Sequence, residues 1–181
     1  MRSLIRSQFL RYLEGHGFEE DDGREQIFGY RRRLADRHDL VEVQFDRGHR
    51  PKFILNFGKV DGNGLIDAYG RHVEAENTKI FLLVEQGRLN AFSKPEFLEH
   101  WFGPRWWSVG STEVMAMAAV QRLIQLFPQV DNWLVDGRLG PNLRIRHSPH
   151  NASGTAKRAL EAKGLWPPEG WTAEDERSLR M

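Results

Sequence analysis

The sequence predicts an α+β fold, a single domain in which an antiparallel sheet of about four or five strands carries helices on one face. Two observations lead to this fold class. Three stretches between residues 26 and 58 alternate apolar and polar residues, and their connections are too short for helical crossovers. Helical periodicity appears at the N-terminus and again after residue 112.

The first predicted element is a helix over residues 3–14. Ile5, Phe9 and Leu13 recur at helical spacing, Ser3 is placed to cap the start, and Gly15 is placed to end the helix. The acidic run EEDDG that follows, residues 19–23, predicts a solvated turn.

The strand candidates are QIFGYRRRL (26–34), DLVEVQFDR (39–47) and RPKFILNFG (50–58). Their alternation predicts an antiparallel meander with one buried face, on which Phe28 and Tyr30 share a side. The sequence DGNG at 61–64 signals a turn. The continuous apolar run in TKIFLLVEQ (78–86) predicts a further, more deeply buried strand.

A long helix is predicted from residue 112 to about residue 127, with Glu113 in its first turn and Pro128 after its end. NLRIRH (142–147) then predicts a short strand, and a small helix follows at 154–163. We interpret residues 1–181 as one domain, with residues from about 140 onward as a C-terminal extension.

Composition excludes several classes of function. The chain contains no cysteine, so disulfides, thiolate zinc sites and cysteine nucleophiles are absent. The net charge is +1, from 26 basic and 25 acidic residues, which gives no specific signal for nucleic acid. No apolar run approaches the ~20 residues that span a bilayer, and no signal peptide is seen. We therefore expect a soluble, cytoplasmic protein without a membrane partner.

The stretch GPRWWSVGSTEV (103–114) is the first candidate binding feature. Adjacent residues point in different directions, so Trp106 and Trp107 cannot both face the core under the following helix. Trp107 is nearer that helix and is predicted to be buried, which leaves Trp106 and Arg105 to contact a partner. The alternative is that both rings pack within the C-terminal half of the chain.

The second candidate is the basic segment RIRHSPHNASGTAKR (144–158). Arg144, Arg146, His147 and His150 precede a predicted helix N-terminus, whose free N–H groups favour an anion. The GxxxxGK[ST] spacing of a phosphate-binding loop is missing, so a solvated connection is the alternative. His147 and His150 have no third ligand nearby in the sequence, and we predict no metal and no cofactor.

A third pattern is acidic. Asp39, Glu42 and Gln44, with Asp21 or Asp22 upstream, loosely match the acidic strand of metal-dependent nucleases, although alternation alone explains a polar outer face. No GxSxG elbow or dinucleotide fingerprint is present, and we assign no catalytic residue.

Several motifs together resemble a family of uncharacterised, mainly bacterial proteins known as a domain of unknown function. These motifs are GHGF, IFGYRRR, VEVQFDR, FILNFG, RWWSV and EVMAMAAVQRLIQLFPQVDNWL, and they cover roughly residues 4–135. The resemblance implies one α+β domain and provides no activity or catalytic residue. It also implies a bulky aromatic at RWW, so that at least one of these rings is architectural.

From these features we predict a non-enzymatic binding or protein-interaction module whose partner is another protein. A homo-oligomer that uses Trp106 in its own interface stays open. The alternative function is an enzyme or binding protein for a phosphate-bearing or other anionic ligand, which uses segment 144–158. A metal-dependent nuclease is the third hypothesis.

Overall fold

The structure, a computed structural model, describes residues 1–24, 27–48, 50–67, 70–93, 101–103, 111–148, 161–162 and 164, with the side chains of 22–24 excepted. It confirms the α+β class, because an antiparallel sheet is combined with helices. Among the described residues, no helix has both the length and the apolar character needed to cross a bilayer.

The main sheet is open and fully antiparallel, and it contains six strands rather than four or five. Its spatial order is β1–β2–β3–β4–β7–β8. These strands are β1 (Glu19–Arg24), β2 (Ile27–Arg33), β3 (Arg37–Phe45), β4 (Phe53–Asp61), β7 (Glu85–Leu89) and β8 (Leu143–His147). The remaining strands, β5 (Leu65–Ile66) and β6 (His72–Val73), pair with each other in a separate two-stranded sheet.

The N-terminal helix begins with α1 (Arg2–Leu4), continues through a π-helical stretch (Ile5–Leu10) and ends with α2 (Arg11–Glu14). It starts one residue before Ser3, so that serine does not cap it. The long helix is α3 (Thr112–Asp136), which is capped by the Ser111 hydroxyl. Both helices pack on one face of the sheet, which we call the helix face. There the Phe9 and Phe127 rings lie 5.6 Å apart.

The prediction that the long helix ends before Pro128 is wrong, because α3 continues through this proline to Asp136. Pro128 lacks an N–H group and leaves the Ile124 carbonyl without its usual helical donor. The proline is exposed, however, and the turns beyond it bury Trp133 and Leu134 against the sheet. The burial of these apolar side chains therefore outweighs one lost hydrogen bond.

The acidic run EEDDG is a strand and not the predicted solvated turn. It forms most of β1, which pairs antiparallel with β2. Asp21 accepts a hydrogen bond of 2.8 Å from Arg31, and Glu19 accepts one of 2.7 Å from Arg33. Opposite charges across two strands stabilise their pairing, and the acidic edge strand is held in the sheet by the arginines of β2.

The strand predicted at 78–86 is also wrong. Residues 75–83, which we call the roof segment, contain two 3₁₀ turns, Ala75–Asn77 and Ile80–Leu82, and β7 begins only at Glu85. The roof segment covers part of the sheet face opposite the helices, which we call the roofed face. There its buried apolar side chains form a second small core with the sheet: Leu40, Val60, Ala75, Ile80 and Leu83.

The NLRIRH prediction is confirmed, because β8 pairs with β7 along its whole length. Leu143 is 1% exposed and belongs to the core on the helix face. Part of the chain beyond residue 140 therefore supplies the sixth strand of the sheet.

The end of α3 yields a stability prediction. Trp133 is 4% exposed and its ring lies 5.1 Å from that of Phe57. Trp133→Ala should lower the free energy of unfolding by about 3–5 kcal/mol in urea denaturation, because it leaves a cavity beside the sheet. The control Val135→Ala, at a side chain that is 60% exposed, should change it by less than about 0.5 kcal/mol. If both variants lost the same small amount of unfolding free energy, this result would contradict apolar burial as the reason that α3 continues past Pro128.

Candidate functional site

A row of polar side chains crosses the roofed face of the sheet. The strand register places one residue of each strand directly opposite one residue of the neighbouring strand. From β1 to β8 these residues are Asp21, Gly29, Glu42, Asn56, Arg88 and Arg144. Residues directly opposite in adjacent strands project from the same face. The row therefore changes from acidic at β1 and β3 to basic at β7 and β8, with Asn56 between the two ends.

A cavity of about 320 Å³ lies over this row. Its floor is formed by β2, β3, β4 and β7, and Lys79, Ile80 and Phe81 of the roof segment form one wall. Gly29 lines the floor and has no side chain to occupy the space. The polar groups that line the cavity are the side chains of Asp21, Glu42, Gln44, Arg47, Asn56, Lys79, Gln86 and Arg88. The size matches the small end of ligand pockets.

The roof segment is attached to the sheet by the buried side chain of Arg31. This side chain is 0% exposed, and it donates to Asp21 at 2.8 Å and to the carbonyls of Ala75 and Thr78, the latter at 2.9 Å. Lys79 adds an ion pair to the same Asp21 carboxylate at 3.1 Å. A charge this deeply buried requires several partners, and those of Arg31 lie on both the sheet and the roof segment.

A second, more exposed contact between the sheet and the roof segment lies beside Arg31. It is the ion pair of Arg33 with Glu76, which we call the outer clamp. Arg33 donates two hydrogen bonds to the Glu76 carboxylate, at 2.9 and 3.0 Å, and a third to Glu19. The bonds from Arg33 hold the pKa of Glu76 below its usual value. This pair lies at the solvent edge of the roof segment and contributes less than a buried pair does.

Gly58 allows the roof segment to approach β4 closely. A Cβ atom at this position would lie 2.3 Å from Leu83 Cδ1, closer than side chains tolerate. Leu83 is 3% exposed because it fills the space that Gly58 leaves. The absence of a side chain at Gly58 therefore allows the roof segment to lie close to the sheet next to the cavity.

Arg88 dominates the basic end of the cavity. It is half-buried, and its Nε donates to Asn56 Oδ1 at 3.2 Å. Burial and the nearby charge of Arg146 lower the pKa of Arg88, burial contributing more. A lowered pKa indicates a guanidinium that is desolvated without full compensation by an opposite charge.

The structure separates the members of the basic segment that it describes. Arg144 and Arg146 are two residues apart on β8, so both side chains project from the roofed face. His147 projects from the opposite face. Arg144 donates to the backbone carbonyls of Leu143 and Ser93, both at 2.9 Å. Arg146 is exposed, and His147 Nδ1 is buried without a hydrogen-bond partner among the described residues. Arg144 and Arg146 thus adjoin Arg88, and His147 does not.

The other candidates from the sequence lie outside the described residues. These are Arg105, Trp106, Trp107 and His150. Their predicted roles in binding or packing therefore stay predictions.

The acidic pattern is only partly brought together. Asp39 lies on the helix face, 0% exposed, where it is bound by Arg32 at 2.7 Å and by Arg37 at 3.1 Å. Asp21 and Glu42 instead line the cavity with Gln44. Within the described ranges, no three histidine, aspartate or glutamate side chains come close enough together to hold a metal ion.

The sequence patterns indicate only part of the cavity lining, namely Asp21, Glu42 and Gln44 of the acidic pattern. They do not indicate Arg88, because they predict a strand at 78–86 and not at Glu85–Leu89. The alternation places Arg31 on the face of its strand opposite Phe28 and Tyr30, the predicted buried side, yet Arg31 is fully buried. A signal was present in EEDDG, because an acidic run of that length just before an arginine-rich strand supplies opposite charges for cross-strand pairing.

Comparison with known proteins gives no relative: no protein-family model, no curated protein and no solved structure matches the chain. The resemblance to a domain of unknown function over residues 4–135 therefore stays a prediction. The site is accordingly interpreted from its own geometry.

The attachment of the roof segment can be tested at Arg31. Arg31→Met should cost about 3–5 kcal/mol of unfolding free energy and should speed amide exchange at Leu82 and Leu83, because the Ala75 and Thr78 carbonyls lose a buried charged donor. The control Arg33→Gln, at a side chain that is 42% exposed, should cost less than about 1 kcal/mol. Unchanged exchange at these amides in Arg31→Met would refute the role of Arg31.

The outer clamp gives a pH prediction. Because the Glu76 pKa is lowered in the folded protein, its contribution to stability is present above the ordinary glutamate pKa and is lost as pH falls through the folded value. Carboxyl NMR titration should show the Glu76 pKa rising towards its usual value in Arg33→Gln. The pKa should stay low in Arg122→Gln, which alters the exposed side of α3. A low Glu76 pKa in both variants would contradict the Arg33–Glu76 clamp.

Proposed function

We propose that the protein is a non-enzymatic binding module whose ligand occupies the cavity on the roofed face of the sheet. The observation that carries this proposal is the cavity itself, in which polar groups from several strands converge beside the roof segment. Its floor belongs to hydrogen-bonded strands, so the lining side chains are held by a rigid framework.

The mixed lining of the cavity supports selective binding. Leu40 and Ile80 supply apolar surface, whereas Gln44 and Asn56 present amide groups that are joined by a 3.2 Å hydrogen bond. Apolar walls with a few placed polar groups are typical of small-molecule sites. Phe81 is 56% exposed at the cavity wall and offers a ring for contact with a bound molecule.

Filling the cavity floor tests this function. The Cβ of a residue at position 29 points to the roofed face, so Gly29→Val should narrow the cavity. In a thermal-shift screen of anionic, neutral and cationic metabolites, at least one compound should raise the Tm of the wild-type protein and fail to raise that of Gly29→Val.

The matched control is Ala118→Val on the exposed side of α3, which should respond like the wild-type protein. Circular dichroism checks that each variant is folded, and Gln44→Leu replaces Gly29→Val if the latter does not fold. A screen in which no compound stabilises the wild-type protein would overturn the proposed function. An equal Tm rise in the cavity variant would do the same.

A further inference from the structure

We infer that the ligand of the cavity carries an oxyanion, a carboxylate or phosphate, which is bound by the guanidinium of Arg88 with Arg146 beside it. This inference rests on the proposed function and names the class of molecule that the cavity takes. It rests on the position, the hydrogen bonding and the charge surroundings of Arg88.

Arg88 lies in the middle of a strand that is paired on both sides. Within β7 it is opposite Asn56 of β4 and Arg144 of β8. Its side chain is directed to the roofed face and lines the cavity. The backbone of an arginine at a central strand position is held by the strands on both sides. A planar guanidinium held in this way is oriented to bind an oxyanion through two parallel hydrogen bonds.

The charge of Arg88 has no carboxylate partner among the described residues. Its one hydrogen bond there runs from Nε to the neutral Asn56 amide, which leaves the two terminal NH₂ groups to donate elsewhere. Lys79, another cation at the cavity, differs in this respect, because it is paired with Asp21 at 3.1 Å. A half-buried arginine without a counter-ion favours an anionic ligand, because that ligand supplies the missing charge.

Arg146 reinforces this preference. It is opposite Gln86 in the strand register, which makes it the diagonal neighbour of Arg88, at a spacing of roughly 7–8 Å that is somewhat shorter between the Cβ atoms. Its charge lowers the pKa of Arg88, so the two guanidinium groups repel each other. An oxyanion between them removes that repulsion. Arg144 contributes less, because its guanidinium already donates to the carbonyls of Leu143 and Ser93.

Titration with simple oxyanions tests the inference. Inorganic phosphate and acetate are the probes, each compared with chloride at equal ionic strength, and the readouts are Tm and a calorimetric Kd. At least one probe should raise the Tm of the wild-type protein. Arg88→Gln should weaken binding by about 10-fold or more, because a charged hydrogen-bond donor is lost. Arg146→Gln should weaken binding by a smaller factor, and the relative affinities of the two probes separate a phosphate site from a carboxylate site.

The control is Arg122→Gln, which removes one positive charge from the exposed side of α3 and should bind like the wild-type protein. Binding that is unchanged in Arg88→Gln, or weakened equally in Arg122→Gln, would overturn the inference. So would the absence of any Tm rise with either probe. If neutral compounds from the metabolite screen still stabilise Arg88→Gln and fail with Gly29→Val, the proposed function stands and the oxyanion inference alone is wrong.

Discussion

The hydrogen bonds and the ion pair of the buried Arg31 guanidinium are the interactions on which the roofed face of the sheet depends. This guanidinium is 0% exposed, and its partners come from β1, β3 and the roof segment: Asp21, His38, and the carbonyls of Ala75 and Thr78. Burying a charge is costly unless such partners surround it. Each of these segments is therefore held against the Arg31 guanidinium. The roof segment cannot lift from the sheet without exposing Ile80 and Leu83 and leaving the carbonyls of Ala75 and Thr78 without their buried donor.

The two faces of the sheet are thus covered by different physical means. The helix face is covered by an extensive apolar core that joins the N-terminal helix and α3 to the strands. The roofed face has a small core, of five buried residues within the part of the chain that the structure describes, and relies on ion pairs at Arg31, Arg33 and Lys79. Because the roof segment covers only part of this face, the polar row beside it is left lining a cavity. The cavity exists because apolar side chains cover only part of the roofed face. The charges that line the cavity belong to the residues that lie opposite one another in neighbouring strands.

The fold class and the central strands could be predicted from the sequence, because period-2 alternation decides which side chains face the core. Phe28 and Tyr30 are buried on the helix face as that alternation requires. Elements governed by long-range contacts could not be predicted in this way. α3 passes Pro128 because of packing against distant strands, and the roof segment adopts 3₁₀ turns because Arg31 binds its carbonyls. Of the residues that the sequence patterns single out, Asp21, Glu42 and Gln44 line the cavity, and Arg144 and Arg146 lie on the strand next to Arg88. Arg88 itself required knowledge of the strand register.

We propose that this protein binds its ligand on the roofed face of the sheet, and mapping of the amide groups by NMR is the decisive test. In ¹⁵N-labelled protein titrated with acetate or phosphate, the largest chemical-shift changes should fall on Glu42, Gln44, Asn56 and Arg88, with smaller changes in the roof segment. Amides on the exposed side of α3 should stay unchanged. Changes confined to α3 or to the β5–β6 pair, with none along the polar row, would contradict the account.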